Sequence, residues 1–456
     1  MKTLAQIGAQ LQGYDPQALR ADQVLAFLAE LALPVTATQQ LPLFDALGRV
    51  LADDVISPLD VPPHDNSAMD GFAFDSSPLR EARPLELDVV GTALAGRAWQ
   101  GQVHAGQAVK IMTGAIMPAG LDTVVPQEFV TVTPNGASQR ITIPAGLLQP
   151  GDNRRLRGED LLRGSKALLK GELLTPARLG LVASLGIASL SCLRRMRVAY
   201  FSTGDEILSL GEAPREGAVY DSNRYTVFGL LSRMGCEVID LGVVRDEPAL
   251  LEAAFMQAAE QADAIITSGG VSVGEADFTK TMMKKLGDVA FWRVAMRPGR
   301  PMAVGRISKA KSVVSPVFTG ANSYEKNSES NANLPGDAGS AILFGLPGNP
   351  VAVMVTFLAF VRPALLQMMG VTAAAPPLLR AISDEPMRKK PGRTEYQRGW
   401  VSMAADGSLH VKTTGSQGSG VLRSMAQANG LIVLHHAQGN VAVGGPVDVM
   451  MFDGVI

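Results

Sequence analysis

The sequence is poor in residues that mark disulfide-rich, zinc-binding and nucleic-acid-binding proteins. Its 456 residues include two cysteines, Cys192 and Cys236, and two isolated cysteines make neither a disulfide framework nor a CxxC metal site. The five histidines show no metal-ligand spacing. Aromatic residues make up 5% of the chain, too few for an obvious surface that stacks on single-stranded nucleic acid. Both cysteines are therefore predicted to be small buried side chains in a reducing compartment.

Charge and hydropathy argue against a nucleic-acid-binding protein and against a membrane-spanning protein. The formal net charge is −2, with both signs spread along the chain, so no basic surface for nucleic acid is predicted. An anionic substrate must then be bound by a local cluster of cations and donors. The N-terminus lacks a signal-peptide pattern. The most apolar stretch, Val351–Val361, stops at Arg362 and is too short to span a bilayer. The sequence thus predicts a cytoplasmic protein without a membrane segment, in which this stretch is a buried helix.

Length and composition divide the chain into several domains. Its length allows about two to four of them. Predicted helices at Ala21–Leu31 and Asp45–Asp53 precede a Pro-rich loop, and a further helix is predicted at Pro176–Leu185. The predicted domains are residues 1–59 plus 151–191 as one discontinuous N-terminal domain, 60–150 as a β-rich domain, 192–372 as an α/β domain, and 373–456 as a C-terminal β domain.

Strands and helices alternate in the third of these domains. This rhythm predicts a central, doubly wound, Rossmann-like α/β domain with a parallel sheet. Such sheets bind ligands beyond the carboxyl ends of their strands. The predicted strands are Arg197–Thr203, Glu237–Val244 and Ala264–Thr267, and the predicted helices are Ser222–Met234, Ala249–Gln261 and Phe278–Leu286.

Glycines and acids follow these three strands, in the segments Thr203–Glu206, Arg245–Glu247 and Ser268–Asp277. Glycines let backbone N–H groups approach an anion. Several carboxylates at one sheet edge make sense if they hold Mg²⁺, which prefers oxygen ligands and bridges to phosphate. The alternative is that each acid only caps a helix. That alternative is as good for any single acid and weaker for acids at three strand ends.

Two rigid turns lie farther along the chain. Arg293, Arg297 and Arg300 share a Pro/Gly-stiffened turn, and the planar guanidinium group suits oxyanions. A solvated charged turn is the alternative. The segment Phe344–Pro350 reads as a strand, a turn and a helix start, which could form one wall of a pocket.

Two loops have no periodicity. Pro63–Gly71 carries acids, an Asn and a Ser that could reach a ligand or form an ordinary turn. Lys309–Ser340 is rich in Ser and Asn and is predicted to be a surface insertion. Neither a Walker A nor a GxGxxG sequence occurs.

Considered together, these motifs resemble one family. The strings PPHDNSAMDGFAF, IMTGAIMPAGLDTVVPQE, FSTGDEI, TSGGVSVGEADFTK, FWRVAMRPGRPMAVG, FGLPGNPVAV, GRTEYQRG and TTGSQGSG occur in the order seen in the molybdopterin molybdenumtransferase (MoeA-type) family. The E domain of gephyrin belongs to the same family. The resemblance extends from about Pro42 to Asp448. It implies four domains, one of them discontinuous, with a molybdopterin-binding α/β domain, in an elongated homodimer.

The resemblance also implies a reaction and its residues. Molybdate would be inserted into adenylylated molybdopterin, with Mg²⁺-dependent cleavage of the phosphoanhydride and release of AMP, as the last step of molybdenum-cofactor assembly. The family's catalytic positions fall on Asp70, Thr113, Arg155, Asp160, Glu206, Asp246 and Asp277, of which Glu206, Asp246 and Asp277 are expected to hold Mg²⁺. Substrate contacts are expected from Gly269, Gly270, Ser272, Arg293, Arg297, Arg300, Pro347, Pro350, Arg393 and Ser419.

The chain departs from the family in two ways. Family members commonly have lysines where this chain has Arg293, Arg297 and Arg300. The exchange keeps the charge but puts in doubt any role that needs a lysine's proton transfer. The insertion 308–341 stands where the family has a short link, beside the expected site, and we expect a hairpin extension without a catalytic role.

Three alternatives remain open from the sequence. The first is a non-catalytic scaffold, since gephyrin also binds receptor tails, although intact acids at the family positions count against it. The second is the adenylyltransferase that makes the substrate, which shares the TSGG-type motif but is expected to be one short α/β domain. That enzyme is also a candidate partner. The third is a homologue that inserts tungstate.

Overall fold

The computed structural model describes residues 2–81, 83–136, 138–271, 278–309, 339–372 and 377–454. Two predicted site residues, Ser272 and Asp277, lie outside this part of the chain, as does most of the predicted insertion.

A six-stranded sheet forms the centre of the molecule. Four neighbouring strands run parallel, as the alternation of strands and helices predicts. The fifth strand in the sheet, Pro301–Ser308, runs antiparallel to both of its neighbours, which the prediction of a parallel sheet did not include. Its direction is reversed because the chain turns back after Arg293 and returns beside the strand that it has just left, and such a hairpin requires antiparallel pairing. In spatial order the strands are Glu237–Val244, Arg197–Thr203, Ala264–Ser268, Ser340–Leu346, Pro301–Ser308 and Gly287–Arg293.

Helices cover both faces of this sheet, which confirms the doubly wound α/β fold. Side chains alternate between the two faces of a strand. Val198 and Tyr200 pack in one core with the first helix after their strand, whereas Ala199 and Phe201 pack in the opposite core with the next helix. The helices of this domain are Ser222–Arg233, Pro248–Gln261, Phe278–Leu286, Pro350–Thr356 and Arg362–Met368.

The predicted apolar helix is buried, but it is longer than predicted. It does not stop at Arg362 and runs from Pro350 to Met368. A wider π turn at Phe357–Val361 precedes Pro363, and such a turn relieves the clash of a proline ring with the carbonyl before it. These 19 residues are long and apolar enough to cross a membrane by length and composition, yet 72% of the apolar window is buried inside the protein. That burial is typical of a core helix.

The N-terminal segments contribute to two different cores. The helices Leu4–Gln10 and Ala21–Leu31 pack against the central sheet, where the rings of Phe27 and Trp292 meet edge to face with centroids 4.9 Å apart. The next residues pair with the segment that follows the β-rich domain. We propose that the two helices group with the central domain and not with the discontinuous one. The pairs are Thr38–Pro42 with Ser189–Leu193 and Val55–Ile56 with Lys166–Leu168.

The predicted helix at Asp45–Asp53 is wrong. The chain forms one short 3₁₀ turn, Leu43–Ala46, and Gly48 then adopts a φ of +69°, a conformation that ends helices. Val50 and Leu51 instead form antiparallel bridges to Leu173 and Cys192. The helix predicted at Pro176–Leu185 is confirmed at Pro176–Ser184, and Cys192 and Cys236 are free and buried, as predicted.

Two further six-stranded sheets form the small β domains. The strands of the β-rich domain are Gly71–Phe74, Leu85–Ala93, Gln107–Ile111, Thr123–Pro126, Thr131–Asn135 and Ser138–Ile143. Those of the C-terminal domain are Leu379–Ser383, Thr394–Met403, Leu409–Thr413, Gly430–Leu434 and Pro446–Met451, and its short helix is Leu422–Ala426. The sixth strand of the C-terminal sheet, Met296–Arg297, comes from the central domain and pairs with Thr394 and Glu395. The arginine turn therefore belongs to both domains.

The described ends of the predicted insertion do not lie beside the expected site. Its flanking residues, Ser308 and Ser340, pair at the ends of two antiparallel strands. The first of these strands begins at Pro301, at the arginine turn. Seven residues at about 3.3 Å each separate Pro301 from Ser308 by roughly 23 Å. The two ends of the insertion therefore lie at the opposite end of these strands from the arginine turn.

Candidate functional site

The carboxyl ends of the central strands and a loop of the C-terminal domain enclose a cavity of about 660 Å³. That volume suits a small-molecule ligand. Its predicted site residues are Glu206, Asp246, Gly269, Gly270, Arg297, Arg300, Pro347, Arg393 and Ser419, and its further lining residues include Thr203, Gly204, Gly348, Asn349, Gln417 and Gly418.

The glycine turn after the third strand is tightly packed. Gly269 and Gly270 have φ values of +94° and +63°, which side-chain-bearing residues rarely adopt. A Cβ at Gly269 would overlap the carbonyl oxygen of Thr203, and one at Gly270 would overlap the side chain of Thr279. The turn therefore packs closely against Thr203 and Thr279, and both glycines line the cavity.

Two of the three predicted metal ligands share the cavity. Glu206 and Asp246 both line it, and Thr279 Oγ1 donates a hydrogen bond of 3.4 Å to Asp246 Oδ1. Asp277 lies outside the described residues. Within the described part of the chain, no group of three His, Cys, Asp or Glu side chains could hold a metal ion. The magnesium site therefore stays a prediction that rests on two carboxylates.

Two of the three turn arginines lie at the cavity. Arg297 and Arg300 line it. Arg293 is exposed, and its backbone is tied to the N-terminal segment because its N–H donates to the carbonyl of Pro16. Arg293 is the last residue of its strand, ahead of the turn that reaches the cavity, so it does not join the other two.

The turn before the long apolar helix is fixed from a neighbouring helix. Asn223 Nδ2 donates to the carbonyl of Gly348 at 2.7 Å. Pro347, Gly348 and Asn349 line the cavity. Pro350 starts the helix and is not part of the lining. Both prolines were predicted to contact substrate, and the structure places only Pro347 in the cavity lining.

The C-terminal wall contributes a third arginine to the cavity. Arg393 lines the cavity and pairs with Glu395 at 2.8 Å, and the Glu395 side chain is 2% exposed. The backbone of Ser419 is fixed as well, since its carbonyl accepts the N–H of Val351 at 3.1 Å. Both residues, for which the resemblance implies substrate contacts, thus lie at the cavity.

Arg398 is a residue that sequence reasoning missed. It is fully buried, and its guanidinium donates to the carbonyls of Ser416, Gln417 and Gly418 at 2.9 to 3.3 Å. Burial, with a smaller contribution from the charge of Arg297, lowers the pKa of Arg398 to about 10, so it is still charged at neutral pH. The one sequence signal was its place in the GRTEYQRG string.

Four predicted catalytic residues do not reach the cavity. We call Asp70, Thr113, Arg155 and Asp160 the Asp70 group. All four are exposed. The backbone N–H and Oγ1 of Thr113 both donate to Asp70 Oδ1 at 2.7 Å, and these hydrogen bonds lower the pKa of the Asp70 carboxyl below its ordinary value. Arg155 pairs with Glu159 at 2.6 Å.

The molecule is a multidomain α/β protein with its candidate site at a domain junction. The cavity lies between the doubly wound domain and the C-terminal β domain, and three arginines line it. Family models agree along the chain. They match as the MoeA N-terminal region (domains I and II) at residues 19–186, a probable molybdopterin binding domain at 199–367, and the MoeA C-terminal region (domain IV) at 380–452. The chain belongs to the molybdopterin molybdenumtransferase (MoeA) family and is a transferase of molybdenum-cofactor biosynthesis.

Individual relatives support this membership. The molybdopterin molybdenumtransferase of Haemophilus influenzae is 40% identical over 430 residues, which is 94% of this chain and 97% of the relative. That of a Nostoc species is 34% identical over 91% of this chain and 88% of the relative. A crystal structure of the molybdopterin biosynthesis MoeA protein from Pyrococcus horikoshii shares the fold, with a TM-score of 0.75, 24% identity and coverage of 95% of this chain and 100% of that chain. Such full-length similarity is not expected of the single-domain adenylyltransferase.

Proposed function

We propose that this chain transfers molybdate to adenylylated molybdopterin in the cavity, cleaving the phosphoanhydride and releasing AMP. The observation that carries the proposal is that Glu206 and Asp246 share one cavity with Arg297, Arg300 and Arg393. Transfer at phosphorus needs neutralisation of phosphate charge more than it needs a strong nucleophile. Metal-binding acids and cations in one cavity meet that need.

The two carboxylates fit Mg²⁺. Mg²⁺ in enzymes is commonly held by one or two carboxylates together with waters and substrate phosphates. Glu206 and Asp246 supply such a pair at the cavity wall, and substrate oxygens would complete the coordination. The ion would neutralise charge on the phosphate bridge.

The chain's other groups bind and orient the oxyanions. The guanidinium groups of Arg297, Arg300 and Arg393 suit phosphate and molybdate oxygens. Thr203 supports the presence of a ligand here, because its Oγ1 is buried at the cavity wall without a hydrogen-bond partner. A buried hydroxyl left without a partner costs about 1 to 3 kcal/mol, and a substrate oxygen would remove that cost.

The assay is AMP release from adenylylated molybdopterin with Mg²⁺, with and without molybdate. We expect release that depends on molybdate. Asp246→Asn and Arg300→Met should lower kcat/KM by about 100-fold or more. Arg380→Met is the matched control, since Arg380 lies in the C-terminal sheet with its side chain 67% exposed and paired with Asp448. A folded protein that releases no AMP would favour the scaffold, and a parallel tungstate arm measures the preference between the oxyanions.

We also propose a homodimer in which the Asp70 group of one copy completes the cavity of a second copy. The support is that all four members of the group are exposed and none lines the cavity of its own chain. Asp70→Ala and Asp246→Asn should each inactivate the homodimer. The mixed dimer of the two variants keeps one intact site and should recover about half of the wild-type rate. A mixed dimer without activity would show that both groups act within one chain.

We further propose that the insertion has no catalytic role. Its ends are already joined as neighbours in a hairpin, at the sheet edge away from the cavity. Replacing residues 310–338 by a short Gly-Ser link should leave molybdate-dependent AMP release unchanged. Loss of activity with the fold intact would contradict this. A cytoplasmic location and a contact with the adenylyltransferase that supplies the substrate complete the proposal.

A further inference from the structure

The loop Ser416–Gly420, which we name the amide loop, uses all of its carbonyl groups inside the protein. The guanidinium group of Arg398 donates hydrogen bonds to the carbonyls of Ser416, Gln417 and Gly418. The backbone N–H of Val351 donates to the carbonyl of Ser419, and the backbone N–H of Leu422 donates to the carbonyl of Gly420. The acceptors of the loop are therefore satisfied within the chain.

Three backbone N–H donors of the amide loop have no partner among the described protein atoms. The backbone N–H groups of Gln417, Gly418 and Ser419 donate no hydrogen bond to any described protein atom. These are the three loop residues that line the cavity. In a planar trans peptide the N–H points opposite to the C=O that precedes it. Because Arg398 holds the carbonyls of residues 416–418, the N–H groups of residues 417–419 face away from it.

Arg398 is also a buried cation whose partners are all neutral. Its side chain is fully buried, and its hydrogen bonds go to three carbonyls and to Ser424 Oγ at 3.0 Å. Within the described part of the chain it makes no ion pair with a carboxylate. A buried charge without a countercharge is costly, so an anion bound beyond the amide loop would stabilise it.

We propose that Arg398 is a positioning residue that holds the amide loop so that three successive N–H groups form an oxyanion nest in the cavity wall. Successive backbone N–H groups of this kind bind anions. This inference rests on the proposed function for the identity of the anion, which is molybdate. Arg398 itself does not touch the oxyanion, because the loop lies between them.

The test measures binding and kinetics separately. Molybdate alone is titrated into wild type, Arg398→Met, Arg398→Lys and the control Arg380→Met by isothermal titration calorimetry. Arg398→Met should weaken molybdate binding and raise KM for molybdate by about 10- to 100-fold. KM for adenylylated molybdopterin should stay within about twofold. Arg398→Lys should recover part of the affinity, because it keeps the charge and loses the fork. A merely structural role would not separate the two KM values.

The outcomes separate this inference from the proposed function. A folded Arg398→Met with wild-type molybdate affinity overturns the nest, as does a wild type that binds no molybdate. If Arg398→Met does not fold, Ser424→Ala decides, because it removes the acceptor of the Arg398 Nε hydrogen bond and should raise KM for molybdate alone. Wild type that binds molybdate but releases no AMP overturns the proposed function and leaves the nest standing.

Discussion

Replacing Gly269 by alanine should damage both stability and activity, and the structure provides a matched control. Gly269 and Gly211 have the same φ of +94°. A Cβ at Gly269 would overlap the carbonyl oxygen of Thr203, whereas a Cβ at Gly211 would meet nothing within 4 Å. The two substitutions therefore share the backbone strain and differ in the overlap.

The expected magnitudes follow from these two contributions. A left-handed conformation costs a non-glycine residue about 1 to 2 kcal/mol, which applies equally to both variants. Overlap with a fixed backbone oxygen adds about 1 to 3 kcal/mol. The free energy of unfolding should thus fall by about 1 to 2 kcal/mol in Gly211→Ala and by about 2 to 5 kcal/mol in Gly269→Ala.

Urea unfolding measures the stability of both variants, and AMP release measures their activity. A shift of about 1 Å in the Gly269–Gly270 turn should lower kcat/KM by roughly 100-fold, while Gly211→Ala should keep the wild-type rate. Equal losses of stability in the two variants, or full activity in Gly269→Ala, would refute the close packing of this turn against Thr203.

The remaining predictions concern ionised groups. Asp263→Asn breaks a buried pair with Arg194, held by two hydrogen bonds of 2.7 Å, and should cost about 3 to 5 kcal/mol in urea unfolding. Glu30→Gln breaks the exposed ion pair of Glu30 with Lys2 and should cost less than about 1 kcal/mol; equal costs would contradict the burial argument. Thr113→Val should raise the pKa of Asp70 toward 3.8 in an NMR titration, and an unchanged pKa would contradict the hydrogen bond. Because the pKa of Asp70 is lowered in the folded state, ionised Asp70 stabilises the fold at neutral pH, and this stabilisation is lost as the pH falls through the lowered pKa.

The sequence predicted the regular elements well where periodicity is strong. The strand Arg197–Thr203 and the helix Phe278–Leu286 have the predicted bounds, because alternating burial and apolar runs are local properties of a strand or helix. The helix predicted at Asp45–Asp53 failed because tertiary bridges at Val50 and Leu51 outweigh local helix propensity. The antiparallel strand Pro301–Ser308 of the central sheet was missed because strand direction depends on how the chain returns.

The site was predictable to the extent that it follows the strand ends. Glu206, Asp246 and Gly269 lie where a doubly wound sheet puts ligand-binding residues. Arg293 shows the limit, since spacing alone cannot tell which arginine of a turn faces a cavity. Arg398 shows another, because a charged residue in a sequence is expected at the surface. The buried position of Arg398 and its hydrogen bonds to the loop 416–418 become apparent only in the folded structure.

The position of the arginine turn depends on how the central and C-terminal domains are arranged. Pro301 continues into the central sheet, while Met296 and Arg297 pair with Thr394 and Glu395 of the C-terminal sheet. A displacement of one domain relative to the other must therefore move Arg297 away from either the glycine turn or Arg393. In the proposed function the spacing of the cations around the oxyanion therefore depends on the contact between the two domains. A substitution that weakens this contact should weaken molybdate binding even when every cavity residue is intact.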